Sequence, residues 1–244
     1  MNTSKSETKR TAFYILLTYM VYQLSVFLLI IPPLQQFFLQ FMKGDEKYAL
    51  QNLFVWWNVV TGILALIVAF LLIRRHPTFF QVFQGEKASI PVTIGWGIIG
   101  YFMVMLGQMI GVQIEAALGI TAGSDNTELI LTLAKISPIM IVSAVIIAPI
   151  FEELVFRRVI FGSLIQTQNF WVAGIISAIV FALIHNDFTH IILYTITGFI
   201  FAFIYYKTKR LLASIIAHFL WNGMLMLIQL NYDRLQSFYE QVPK

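Results

Sequence analysis

The chain has 244 residues, 59% of them hydrophobic and 11% charged, and a mean hydropathy of +0.79, whereas a soluble globular domain carries about 25% charged residues. These values exclude a soluble fold and predict an all-α polytopic membrane protein, a bundle of transmembrane helices. Sixteen Lys and Arg against twelve Asp and Glu leave a net charge of +4, but the bases lie in short segments between apolar runs. There they orient helices and do not form a nucleic-acid surface. Cysteine is absent, which excludes disulfides and a thiol nucleophile and leaves only His, carboxylate or amide groups to hold zinc.

Residues 1–10 are polar and basic, and the apolar run 12–31 is long enough to cross a hydrocarbon core of about 30 Å. It reads as an uncleaved anchor, because Pro32, Pro33 and Leu34 offer no small-residue cleavage site. Further apolar segments occupy 53–73, 92–114, 138–165, 170–184, 191–206 and 211–230. The count is seven spans, or eight if Pro149 divides 138–165 into two crossing pieces. Lys5, Lys9 and Arg10 precede the first span, Arg74, Arg75 and Lys87 separate the second from the third, and Lys207, Lys209 and Arg210 separate the sixth from the seventh. With seven spans these clusters fall on one side, which the positive-inside rule makes cytoplasmic; an eighth crossing breaks that agreement. The aromatic stretch 77–84 suits the membrane interface, and the GxxxG formed by Gly107 and Gly111 reads as packing inside the bundle. With no repeat and no soluble stretch able to bury its own core, one membrane domain over 1–244 is expected.

Inside the fourth span stand Glu152, Glu153, Arg157 and Arg158. Ionisable groups at membrane depth cost roughly 2.5 to 3.5 kcal/mol each on insertion scales and mark functional sites by default. Glu153 and Arg157 are four apart and share a helix face, as an ion pair would. Glu152 is turned about 100° away and needs a partner on another helix or access to water. His185 closes the fifth span, while His218 and Asn222 stand four apart in the seventh. A lone intramembrane His is usually a packing residue; three spans each contributing a polar group point instead to one wet cavity. Such a set can move protons between water and a leaving amine and donate hydrogen bonds to an oxyanion. It also resembles a Glu/His/His metal site, and spacing alone does not separate the two. Asn186, Asp187 and His190 read as turn and cavity-rim residues, and Trp221 as a structural residue facing elsewhere on its helix. Other intramembrane protease signatures are missing: there is no Gly-x-Ser-Gly and no His-Glu-x-x-His, and Gly123-Ser124-Asp125 is not Gly-x-Gly-Asp.

Glu152-Glu153-x-x-x-Arg157, Phe181-x-x-x-His185 and His218-x-x-x-Asn222, in that order on successive spans, resemble the three motifs of the CPBP intramembrane proteases, also called the ABI or CAAX-protease family. The text around them is similar to the bacterial, MroQ-like branch, and the motif-bearing core runs from about 138 to 230. The resemblance implies a helical membrane core whose conical cavity holds the motif residues. By motif position, Glu152 with His185 would activate water, His218 and Asn222 would bind the oxyanion, and Glu153 and Arg157 would support them from behind. Members of the family have been described both as metalloproteases and as metal-independent glutamate proteases. A neutral Asn is a poor zinc ligand and a good oxyanion donor, so the preferred reading has no tightly held ion; zinc on Glu152, His185 and His218 is the alternative. The expected activity is endopeptidase cleavage of a membrane-associated peptide or lipid-modified protein, with membrane lipids as partners, no nucleic acid, and a bacterial cytoplasmic membrane as the location. A non-catalytic scaffold or chaperone modulating a sensor kinase is the competing reading, and a proton-coupled transporter a third that lacks an inverted repeat. The expected topology puts His185 near the external end of its span and His218 nearer the cytoplasmic end. A short or bent fifth span, with Asn186 and Asp187 sunk into the protein, would reconcile them.

Overall fold

The computed structural model describes residues 2–241; Met1 and residues 242–244 of the expected domain lie outside the described residues. In chain order the elements are α1 (Asn2–Leu24), extended by a 3-10 turn (Ser25–Ile30), α2 (Pro32–Leu39), α3 (Glu46–Arg74), α4 (Ile90–Ala117) and α5 (Asp125–Ile136). There follow α6 (Ile139–Leu164), α7 (Phe170–Leu183), α8 (Ile191–Thr208), α9 (Leu211–Leu230) and α10 (Tyr232–Gln241). Six helical segments among the described residues are long and apolar enough to cross a membrane, and α7 is a shorter apolar helix. Together they reproduce the seven apolar segments in order, on an all-helical bundle.

Helix starts follow local chemistry. Asp45, Ser124 and Asn169 cap α3, α5 and α7 by accepting from the amides of Tyr48, Thr127 and Val172, donors that a helix N-terminus otherwise leaves unpaired. Pro138 precedes α6, yet Pro149 does not break it: α6 is one continuous segment and is not divided into two crossings among the described residues. A proline inside an α-helix removes one hydrogen bond and pushes its ring against the carbonyl four residues back. Here the turns on either side are wound as π-helix, Ser143–Ile147 and Glu153–Phe161, a wider winding that is frequent at functional sites.

Close approach is set by small residues. A Cβ on Gly107 would lie 2.7 Å from Ile196 and one on Gly111 2.5 Å from Leu193, so the GxxxG seats α4 on α8 within the bundle. Helix α1 packs inward on α6 through rings: Tyr19 meets Phe151 and Phe156 edge-on at 5.1 and 5.7 Å, and Tyr22 stacks on Phe151 at 5.9 Å. Such pairs add to the area their rings bury.

The three basic clusters meet at one end of the bundle. Glu7 lies 3.9 Å from His76, Lys209 Nζ donates to the Gln84 carbonyl at 2.7 Å, and Arg210 Nε donates to the Ala88 carbonyl. The stretch 77–84 lies at this end, where Pro77, Gln81 and Gln84 are exposed and Phe79 turns inward. Phe79 is fully buried because Arg158, also buried, donates from Nε and Nη2 to its carbonyl and lies over its ring at 3.9 Å. A guanidinium in the apolar interior needs acceptors and a π face, and the loop supplies both.

Helix α7 has fourteen residues, about 21 Å at 1.5 Å per residue. Beyond it Asn186 takes a left-handed φ of 52° and Asp187 is buried. The fifth helix is therefore short, but its closing turn is sunk only at Asp187, since Asn186 is exposed.

Candidate active site

A cavity of about 1250 Å³ opens in the half of the bundle away from the basic end, and Glu152, His185, His218 and Asn222 all line it. Glu153 and Arg157 sit behind that wall, both 0% exposed. Their ion pair, Arg157 Nε to Glu153 Oε2 at 3.2 Å, joins residues four apart as expected, although the N–H is not aligned for a hydrogen bond. The guanidinium also lies over Phe181 at 4.6 Å and Phe201 at 5.6 Å, and Nη1 reaches Ser177 Oγ at 3.4 Å.

Both histidines are held by Nδ1. His218 Nδ1 lies 3.1 Å from Glu153 Oε1, and His185 Nδ1 lies 2.8 Å from the Phe181 carbonyl. Carboxylate and carbonyl oxygens only accept, so each Nδ1 carries the proton, and each Nε2 is left for the cavity. His218 Nε2 is 3.8 Å from Glu152 Oε2, too far for a direct hydrogen bond and suited to a bridging water. The His218 ring stacks on Phe201 at 4.6 Å. His185 stacks on Tyr194 at 4.2 Å, and the Tyr194 hydroxyl is in turn held by Asn126 Nδ2 and Ser124 Oγ, each at 3.2 Å. Glu152 has no hydrogen bond to another described residue; beside it Tyr19 and Tyr22 complete the wall. Asn222 Nδ2 donates to the Ala144 carbonyl at 2.9 Å, in the π-wound turn of α6, which fixes the amide and leaves its second N–H.

The structure thus brings Glu152 and His218 together, places His185 and Asn222 on the same cavity, and gives Glu153 a second partner, His218, that its spacing to Arg157 did not announce. Trp221 packs against the buried cluster of Val104, Phe201 and Ala217, as a structural residue does, and also lines the cavity, which takes in more than one face of α9. Asp187 and His190 are rim residues with partners. Asp187 accepts from Ser124 Oγ at 2.7 Å, and His190 Nδ1 lies 2.7 Å from Glu115 Oε2. Glu115, Tyr194 and Ser124 were not among the sequence candidates. Glu115 did carry a signal, an acid at the edge of the apolar segment 92–114; the other two carried none.

One carboxylate and two Nε2 lone pairs are zinc-type donors, and a carboxylate on the far side of an imidazole is the usual outer support of such a ligand. Among the described residues, however, no three His, Asp or Glu side chains stand close enough to hold one ion. The donors do not fit a metal in this arrangement, and the chemistry below is built from the chain's own groups.

A polytopic bundle with these side chains around one cavity is the architecture of a membrane-embedded peptidase. The family model for the type II CAAX prenyl endopeptidase Rce1-like proteins matches residues 134–224, the stretch that holds all three motifs. Over 241 residues the chain is 37% identical to the putative membrane peptidase YdiL of Bacillus subtilis, covering 96% of this chain and 97% of the other. Over 238 residues it is 35% identical to the membrane-embedded CAAX protease MroQ of Staphylococcus aureus, covering 93% of each. A shorter match, 42% over 74 residues, is to the UPF0177 protein YxdF of Lactococcus lactis and takes in 30% of this chain and 40% of that one. No solved structure matches the chain. The chain belongs to the Rce1-like CAAX-protease family of membrane peptidases.

Proposed function

We propose that the protein is an intramembrane endopeptidase that hydrolyses a peptide bond of a membrane-associated peptide or lipid-modified protein, using a water activated by Glu152 and His185. The observation that carries this reading is the unequal treatment of two adjacent carboxylates. Glu153 is occupied by Arg157 and His218, whereas Glu152 faces the cavity with no hydrogen bond among the described residues and an imidazole nitrogen at 3.8 Å. The first is a support and the second is free to act as a base.

In the reaction, Glu152 takes a proton from water as the oxygen attacks the scissile carbonyl carbon. His185, held through its Nδ1, offers Nε2 as the second acceptor for that water. His218, protonated against Glu153, donates from Nε2 to the developing oxyanion together with the free N–H of Asn222. The quartet of Glu152, Glu153, Arg157 and His218 is then neutral overall, which limits the cost of burying it. As the carbon–nitrogen bond breaks, the proton held by Glu152 passes to the leaving amine, and the new carboxyl keeps the water oxygen. No metal ion enters these steps.

The basic end faces the cytoplasm under the positive-inside rule, so the cavity opens toward the outer half of a bacterial cytoplasmic membrane. Membrane lipids surround the bundle and nucleic acid has no part. The test is substrate capture in cells with Glu152→Ala, followed by mass spectrometry of accumulated precursors. Membrane peptides that accumulate uncut in the variant and are cut by the native protein support the reading; identical peptide profiles in both strains overturn it.

A further inference from the structure

Across the same cavity stands a second carboxylate–histidine pair that the hydrolytic steps leave unused. Glu115 is near the end of α4 and His190 in the turn before α8; their side chains are 4% and 7% exposed, and His190 Nδ1 lies 2.7 Å from Glu115 Oε2. A structural reading explains this one bond, which ties the turn to α4. It does not explain the other oxygen. Glu115 Oε1 is buried and has no hydrogen-bond partner, although Glu115 lines the cavity. A buried acceptor left without a donor is unfavourable unless something that enters the cavity supplies one.

The charge of the cavity says what that donor is. Three carboxylates, Glu115, Glu128 and Glu152, and three histidines line it, and among the described residues no Lys or Arg does; with Glu152 offset in its neutral quartet, the acids left over are Glu115 and Glu128. Glu128 is exposed in the first turn of α5, where the helix dipole already accounts for it, so it adds to the field without forming the site. An anionic, low-dielectric cleft concentrates cations, and a charge-assisted hydrogen bond to a carboxylate is the strongest the free oxygen can make.

We infer that Glu115, held by His190, is a specificity-determining residue that receives a lysine or arginine side chain of the bound peptide through its free oxygen. The inference rests on the endopeptidase reading and deepens it by naming a substrate class. It divides the labour of the cavity: Glu152 meets the scissile bond, and Glu115 meets a cationic residue displaced from it along the peptide.

The test uses the purified full chain in lipid nanodiscs and a set of decapeptides in which each position in turn is Lys, Arg, norleucine or Glu. Cleavage is followed by mass spectrometry in the native protein, and binding by fluorescence anisotropy in Glu152→Gln. At one position Lys and Arg are expected to exceed norleucine by about tenfold in kcat/KM and in affinity, the size of a charge-assisted bond made away from water. In Glu115→Gln that ratio should fall to within about threefold, since a neutral amide keeps the shape and loses the charge. Equal treatment of Lys and norleucine at every position by the native protein overturns the inference, as does a ratio that persists in well-folded Glu115→Gln. The native comparison does not depend on any variant folding. Selective binding of Lys peptides without cleavage would refute the endopeptidase reading and leave the subsite standing; cleavage without selectivity would do the reverse.

Discussion

Glu153→Gln and Arg157→Met, made singly and together, test the buried charges behind the cavity. The two side chains are fully buried 3.2 Å apart, but the structure makes their loss unequal. Removing the Glu153 charge strands Arg157, whose Nη2 already has no hydrogen-bond partner, and an uncompensated buried charge costs about 3 to 5 kcal/mol. Removing Arg157 leaves Glu153 still held by His218 at 3.1 Å, and Met refills much of the volume. The loss should then be that of the ion-pair contact and of the charged hydrogen bond from Arg157 Nη1 to Ser177 Oγ, about 1.5 to 3 kcal/mol. Glu153→Gln is thus expected to be worse by about 2 kcal/mol, and the pair to show a coupling of about 1 to 3 kcal/mol. Unfolding of the purified protein in mixed micelles by added sodium dodecyl sulfate, followed by tryptophan fluorescence, measures all four corners of the cycle. Equal single effects that add to within about 0.5 kcal/mol would refute both the ion pair and the role of His218 as the second partner.

Glu152→Gln should keep the fold and abundance and lose about 100- to 10,000-fold in cleavage, because the amide cannot take the proton; near-native rates in a folded variant would remove Glu152 from catalysis. Asn222→Ala should lower kcat by about 100-fold or more with little change in KM, the pattern of an oxyanion donor; a change in KM alone would reassign it to substrate binding. A Cβ on Gly97 would meet Ile216 at 2.6 Å and the Ala213 carbonyl at 3.2 Å, whereas one on Gly95 meets nothing within 4 Å. Gly97→Ala should therefore cost about 1 to 3 kcal/mol, and Gly95→Ala should be neutral or gain up to about 1 kcal/mol, as read by thermal unfolding in detergent. Elemental analysis of active protein should find no stoichiometric zinc; zinc lost to a chelator and restored together with activity would make Glu152, His185 and His218 ligands.

Hydropathy and short-range spacing made the helices, the Glu153–Arg157 pair and the inward packing of Gly107 and Gly111 readable, because each depends on a period or on a neighbour one turn away. Pairings between distant residues were not readable. Arg158 finds the Phe79 carbonyl, His190 finds Glu115, and Tyr194 stacks on His185, each joining elements whose adjacency follows from the bundle and not from local pattern. The aromatic stretch 77–84 reads as interfacial from its composition; that Phe79 within it turns inward depends on the position of Arg158, which the sequence does not give. That Trp221 also lines the cavity was not readable, because helical geometry gives an angle around α9 but not the width of the space it faces. The winding of α6 was half legible, since Pro149 announced a disturbance and the sequence did not say whether the helix would break, bend or widen.

The brevity of α7 bears on the lipid as well as on His185. At about 21 Å beside a hydrocarbon layer of about 30 Å, this helix meets the bilayer with a deficit that tilting cannot remedy, because tilting shortens its reach further. Acyl chains next to α7 must shorten locally or water must descend to meet the turn at Asn186, and either one lowers the barrier for a polar peptide segment to approach sideways. Membrane thickness then becomes a control on the enzyme: short-chain lipids relieve the mismatch, long-chain lipids aggravate it, and turnover in reconstituted vesicles should follow the lipid even when the protein sequence is unchanged.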